Sequence, residues 1–582
     1  PEWFAHVQRS AVRFSDGGSG AFVSADGLAL TNHHVASSQI SKLSTPERDL
    51  IRDGFLARSR SEELPCPDLE LLSLQQIEDV SARVKAAIAD AGTPEAMEAA
   101  RKRVIAEIES ESKEATGLHS EVVTLYGGGM YHLYRYQRYT DVRLVFAPEE
   151  QIAFLGGDVE NFEFPRFNLD MALVRVYENG EPVRPEHFLR FTTDGVHEGQ
   201  PVFVAGHPGS TRRGFTVDHL RSMRDLGMPR SLDRLFRREV ELNVFASQGA
   251  EQARIANDDI RGVENSRKAR LGMQSALLDA RIMAIKAEEE RTLRDAVAAN
   301  PEWSAKWGGA WDEVAAAQAM QAEIFNRLGA LEGLGVVRSE YASIAQTIVR
   351  LVEERDKPSG ERLDEFRDTS MPRTEMLLFS PAPIYPDLER NKIESALMST
   401  AAILGGDHAI VKTAMGGVSP GDRARELVAQ TVLGSVDARR ALVEGGKAAV
   451  AASQDPFIRL AREFDGEARS VRARAEEADA VERAAYDKIT AARFEVFGTD
   501  VYPDATFTLR FSTGRVSGFQ QEGVQVAPFT TIGGMFQRIP VVGNEGVFRI
   551  PDSWMAAKDR LDPATPFNLV STNDIIGGNS GS

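Results

Sequence analysis

Apolar positions alternate with small or polar ones over Ala21-Phe22-Val23-Ser24 and again over Leu28-Ala29-Leu30, with Asp26-Gly27 between them. Two period-two runs around a turn signal predict a hairpin, and this one runs on into Thr31-Asn32-His33-His34-Val35. A second turn signal at Asp16-Gly17-Gly18 makes residues 11–60 read as β-rich. From about Asp68 to Glu114 the period lengthens. Ile77, Val80, Val84 and Ile88, then Met97, Val104, Ile105 and Ile108, recur at helical spacing. A helical insertion over about 68–114 is therefore predicted between β segments. Strand patterns return at 122–125, 142–146, 171–177 and 201–206, the last ending in His207-Pro208-Gly209. From about Asp218 to Phe497 the pattern is almost wholly helical, with breaks near Pro229, Pro301, Pro358 and Pro381. Trp303, Trp307 and Trp311 fall at i, i+4 and i+8, which predicts a packing stripe. Strand pattern resumes at 506–511 and continues through Val541-Val542 and 547–550.

Composition narrows the possibilities. A chain of 582 residues is too long for one core, so two or three domains are expected. The formal net charge of −18 lacks the basic footprint of a nucleic-acid binder. No run of 18 apolar residues occurs, so no membrane span is predicted. Cys66 is the only cysteine, which rules out an intrachain disulfide. The chain starts at Pro1 without methionine or signal peptide, and is expected to be trimmed or fragmentary there. The spacing of His33 and His34 fits no usual zinc signature and no HExxH or CxxC is present, so no zinc site is predicted; no cofactor is expected.

The chemistry-bearing stretch is Asp574-Ile575-Ile576-Gly577-Gly578-Asn579-Ser580-Gly581-Ser582. Glycines around Ser580 permit a curled backbone whose Gly578 and Ser580 N–H groups converge on an oxyanion. A serine nucleophile needs a base, and the histidine pair supplies one. Adjacent residues in a strand point opposite ways, so only one of His33 and His34 can serve, and His34 is preferred. An orienting acid is expected between base and nucleophile. Asp170, directly before the apolar run 171–177, is the leading candidate; Asp158, in Gly156-Gly157-Asp158, is its rival. Asp574 lies six residues before Ser580, where trypsin-like enzymes place a selector of basic side chains, but a turn role is preferred.

TNHHV, GGDVENFEFPRFNLDMALVRVY, VYPDATFTLRFSTGRVSGF and STNDIIGGNSGS together resemble the bacterial serine dipeptidyl-peptidases of the dipeptidyl-peptidase 7 and 11 type. The resemblance runs along nearly the whole chain in the family's order. It implies an α+β multidomain fold, a chymotrypsin-like double β-barrel catalytic domain interrupted by a large all-α domain. Residues 1–217 would hold the first barrel and the start of the second, 218–497 the helical cap, and 498–582 a C-terminally incomplete second barrel. It further implies a periplasmic or secreted homodimer without metal, acting on oligopeptides with a free N-terminus. His34 becomes the base, Asp170 the orienting acid, Ser580 the nucleophile, and Gly578 and Ser580 the oxyanion donors. Asn161 and Phe162 correspond to an Asn–aromatic pair that anchors the substrate's α-amino group, with Asn265 as a third contributor. Family members often carry Trp where this chain has Phe162. They also carry cysteines where this chain has Gly18 and Val35, which reads as one absent disulfide. The residues that select the side chain at the cleavage site are expected beyond Ser582. An endopeptidase of the glutamyl-endopeptidase or HtrA type, and a catalytically silent peptide-binding relative, are the competing readings.

Overall fold

In the computed structural model, which describes residues 2–499 and 502–582, the chain divides into two units. The first joins three separate stretches, Pro1–Gln76, Arg135–Thr211 and Ala505–Ser582. The second is Ile77–Tyr134 with Arg212–Asp504.

The strands, in chain order, begin with β1 (Ala11–Phe14), β2 (Ser19–Phe22), β3 (Leu28–Thr31), β4 (Phe55–Leu56), β5 (Leu64–Pro65) and β6 (Leu71–Asp79). Next come β7 (His119–Leu125), β8 (Met130–Tyr139), β9 (Asp141–Ala147), β10 (Ala172–Glu178), β11 (Glu181–Pro182) and β12 (Pro201–Gly206). The last are β13 (Arg510–Arg515), β14 (Phe519–Gln521), β15 (Val524–Val526), β16 (Phe529–Thr531) and β17 (Pro566–Leu569). In the first unit an antiparallel sheet takes the order β4-β9-β10-β3-β2-β1-β6. Its core side is filled by Val12, Phe14, Phe22, Ala29, Leu144 and Val174. Phe14, Phe22, Leu144 and Val174 are each at most 1% exposed, and that apolar burial holds the strand register in place. β12 pairs with β13, β14 with β15 and β16 with β17 as separate two-stranded ladders. Among the described residues these ladders do not close into a barrel.

Several local expectations change. Residues 2–10 form a helix, α1 (Glu2–Ser10), and the histidine pair opens a second, α2 (His33–Leu43), instead of extending the hairpin. α2 buries His33, Val35, Ala36, Gln39 and Ile40, a helical stripe that its few apolar residues disguise. Residues 71–79 are strand, not helix, because Leu71 and Leu72 pair with Phe14 and Arg13 of β1. The predicted strands at 541–542 and 547–550 are instead a helical turn, Ile539–Val542, and a 3-10 turn, Gly546–Phe548. Pro540 at the start of the first, and positive φ at Gly543 and Gly546, favour turns over a ladder. Residues 77–134 also group with the helical unit, so the boundary passes through β6 and β8, not near 217 alone.

The second unit centres on the 42-residue helix Pro456–Phe497. Phe457, Ile458, Leu460, Ala461 and Phe464 of that helix pack with Ile344, Ile348 and Leu351 of the helix Glu340–Glu354. Arg350, 3% exposed, satisfies its fork on Glu332 at 2.7 and 2.9 Å and on Asp465 at 3.0 Å. That pairing is what makes a buried guanidinium tolerable. Trp307 and Trp311 are buried beside Ala485 and Ile489, as a packing stripe requires.

A Cβ placed on Gly18 would lie 2.7 and 2.9 Å from the two methyls of Val35, so these positions are within bridging reach. The double variant Gly18→Cys/Val35→Cys should form a disulfide, seen as loss of two thiols by mass spectrometry. Its gain should fall below the usual ~2–4 kcal/mol, because Gly18 sits at φ +121° and a side chain there costs ~1–3 kcal/mol. Reduction should lower Tm. Cys66 will not interfere, since burial pushes its thiol up to about 12.

Candidate active site

The site is assembled at three chain termini of regular structure: the end of β3, the start of α2 and the approach to β10. β3 and β10 are antiparallel neighbours with Thr31 opposite Ala172. That register sets the residues just after Thr31 beside those just before Ala172. His34 and Asp170 are brought together as a result. The Nδ1 of His34 lies 2.6 Å from Oδ2 of Asp170, and the His34 backbone N–H donates to Oδ1 at 3.1 Å. A carboxylate accepting both a ring N–H and a backbone N–H at the opening of a helix is stabilised by hydrogen bonds and by the helix dipole. Burial alone would raise the Asp170 pKa; the hydrogen bond and charge of His34 and its backbone N–H outweigh this and hold the carboxyl below its ordinary value. With Nδ1 committed to Asp170, Nε2 is the ring nitrogen left to act, and the side chain is 49% exposed.

His33 is the opposite case. Its ring is buried, and burial pushes its pKa below the ordinary value while Glu150 and Asp170 pull the other way. In a helix the two histidines project about 100° apart, not on opposite faces of a strand, yet the outcome is the same: only His34 is accessible. Asp158 lies in a 3-10 turn, Asp158–Glu160, and His34 pairs with Asp170 instead. Asp574 is exposed.

The loop bearing Ser580 is pinned to the same unit. Ser580 C=O accepts from the Ser19 N–H at 2.7 Å, and the Gly581 N–H donates to Asn32 Oδ1 at 2.6 Å. Gly577, Gly578 and Gly581 have φ of +92°, +82° and +84°, a left-handed conformation that costs glycine little. A Cβ on Gly581 would collide with Ser19 O at 1.7 Å, so no other residue fits there. Among the described residues neither the Gly578 nor the Ser580 N–H donates a hydrogen bond, and Ser580 Oγ makes none to the His34 ring.

Asn161 follows the Asp158–Glu160 turn and is buried, its Oδ1 3.5 Å from Arg166 Nη1. Phe162 has φ +62° and is 63% exposed, so its ring projects into solvent. Arg538 holds this segment through a two-pronged ion pair with Glu160. Asn265 lies on the helix Ala250–Leu278 of the second unit. Two residues that the sequence reading passed over belong to the site. Asn32 bridges Asp170 and Gly581, and Arg166 has buried Nε and Nη2 atoms without hydrogen-bond partners close enough to Asp170 to feel its charge. Asn32 stood inside TNHHV, but only its long-range partners reveal its use.

An imidazole oriented by a carboxylate thus lies in the same unit as a hydrogen-bonded, glycine-framed loop that carries Ser580, a candidate catalytic centre. A family model described as Peptidase S46 matches residues 1–582, and the chain belongs to that family of peptidases. Its relatives include a dipeptidyl-peptidase 7 from Phocaeicola vulgatus, 31% identical over 294 residues, or 48% of this chain and 41% of that protein. An Asp/Glu-specific dipeptidyl-peptidase from Porphyromonas endodontalis is 25% identical over 99% of this chain and 83% of that protein. A crystal structure of Porphyromonas endodontalis DPP11 in complex with the dipeptide Arg-Glu shares the fold, with TM-score 0.78, 22% identity, and coverage of 99% of this chain and 86% of that one.

The sign of the Asp170 shift gives a stability test. A carboxylate with a depressed folded pKa contributes stability that is complete above its unfolded value, near 3.8, and lost as pH falls through the folded value. Asp170→Asn should therefore cost about 1–2 kcal/mol at neutral pH. Melting curves should show a constant gap between the two proteins down to about pH 5 and a closing gap below about pH 4.

Proposed function

We propose that this chain is a serine dipeptidyl-peptidase that releases dipeptides from the free N-terminus of oligopeptides. The observation that carries the reading is the 2.6 Å contact of His34 Nδ1 with Asp170 Oδ2, in the unit whose loop presents Ser580. The mechanism is acyl transfer. His34 Nε2 removes the Ser580 proton as Oγ attacks the scissile carbonyl, and Asp170 stabilises the imidazolium. The Gly578 and Ser580 N–H groups, uncommitted among the described residues, receive the developing oxyanion. The imidazolium returns its proton to the leaving amine, and water then hydrolyses the ester to free the dipeptide.

Exopeptidase action is supported by the relatives' names; on family resemblance Asn161, Phe162 and Asn265 are the residues proposed to anchor the substrate's α-amino group. Phe162 cannot offer an indole N–H, so any contact there is through its backbone or ring. The two β portions are read as halves of a chymotrypsin-like double-barrel catalytic domain, and residues 218–497 as its helical cap. Periplasmic or secreted location and a homodimer complete the proposal, on family resemblance.

A fluorogenic dipeptidyl panel on the full-length protein should show release only from substrates with a free α-amino group. N-acetylation should abolish it, whereas indifference to acetylation would favour an endopeptidase. A fluorophosphonate should label Ser580, and Ser580→Ala or His34→Ala should each lower kcat by at least about a thousandfold. No labelling and no turnover would leave the silent peptide-binding relative.

A further inference from the structure

Asn32 occupies the N-cap of α2, the position where asparagine ordinarily accepts a hydrogen bond from the second or third N–H of the helix. Here its side chain makes no such bond. The N–H of His34, second in the helix, goes instead to Asp170 Oδ1 at 3.1 Å. The catalytic candidate's carboxylate has taken over the cap, and the asparagine amide is released for another use. Its Nδ2 donates to the backbone carbonyl of Asp170 at 2.6 Å, and its Oδ1 accepts from Gly581 N–H at 2.6 Å.

The second of these bonds has a partner across the same peptide plane. Gly581 N–H and Ser580 C=O belong to one peptide unit, and that carbonyl accepts from Ser19 N–H at 2.7 Å. Both polar groups of the plane after Ser580 are therefore fixed from opposite sides. Fixing that plane anchors one side of the Ser580 Cα and so narrows the directions in which its side chain can leave the backbone.

We propose that Asn32 is a positioning residue, a single planar amide that ties the acid's backbone to the nucleophile's peptide plane and so sets the Ser580–His34–Asp170 geometry. The role requires a donor and an acceptor at fixed separation on one short side chain, which aspartate and alanine do not supply together. The hydrogen bonds of the Asn32 side chain go to the Asp170 carbonyl and the Gly581 N–H, not to the His34 ring or the Ser580 hydroxyl. The proposal rests on the functional reading above, and its test has an arm that is independent of activity.

Asn32→Ala loses both bonds, whereas Asn32→Asp keeps the acceptor for Gly581 and sets an oxygen against the Asp170 carbonyl. Both variants in the full-length protein should lose at least about tenfold in kcat, with KM changed less than about threefold, and fluorophosphonate labelling should slow in parallel. Hydrogen exchange of segment 577–582, read by mass spectrometry, should accelerate about tenfold in Asn32→Ala and stay near wild type in Asn32→Asp. Lowering the pH from about 7 to about 5 should raise the activity of Asn32→Asp relative to wild type, because a carboxyl set against the Asp170 carbonyl is raised above its ordinary value of about 3.9 and on protonation regains a donor for that carbonyl. A purely structural role would leave that ratio flat. Wild-type kcat and unchanged exchange in folded Asn32→Ala would overturn the proposal. Should Asn32→Ala fail to fold, the Asn32→Asp pH ratio decides alone: a rise upholds the assignment and a flat ratio refutes it. If wild type neither turns over nor labels, the dipeptidyl-peptidase reading fails, and the exchange data still decide whether Asn32 holds the loop.

Discussion

One carboxylate answers two donors of a single residue, and the site depends on that fact. Asp170 receives the ring N–H and the backbone N–H of His34, so it orients the imidazole and caps the helix that carries it. Removing the carboxylate would free the ring and uncap the helix together. The arrangement holds only because β3 and β10 pair with Thr31 opposite Ala172. A slip of one residue would turn the strand faces over and separate the pair. The packing of Ala29, Leu144 and Val174 is therefore as much a condition of the site as the polar contacts.

The serine loop solves a different problem. In the proposed role it offers a hydroxyl and N–H groups to substrate while resisting collapse onto its own backbone. Glycines with positive φ at 577, 578 and 581 give the curl at little conformational cost, and Ser19 and Asn32 supply external hydrogen bonds that hold it. The steric fit around Gly581 is so close that the loop's shape is imposed by neighbours as well as by its own sequence.

Much of this was legible from residues alone, and the limits have physical reasons. Asp170 stood out because an acid directly before an apolar strand can be buried at the strand start and orient an imidazole, and Ser580 because of its glycine frame. The helix at His33 was hidden: the hairpin pattern runs straight into it, and its buried stripe includes a histidine and a glutamine. β6 was hidden too, since its strand character comes from pairing with β1, a partner nearly 60 residues away in sequence. The short apolar runs at 541–550 carried the right composition for strands but lacked a ladder to join. Asn32 was in view throughout, and no local pattern distinguishes an asparagine that caps its own helix from one that reaches to residue 581. Pairings at such range leave no periodic trace.

The bond between Asn32 and Gly581 spans 549 residues of chain. His34 and Asp170 are only 136 apart. At translation rates of about 5–20 residues per second, the second separation is crossed within about half a minute, the first only after about half a minute to two minutes. A growing chain thus possesses its imidazole–carboxylate pair long before any hydroxyl can be delivered to it. The order of the segments acts as a timer, bringing the loop of Ser580 in only after the segments that carry His34 and Asp170 have been made.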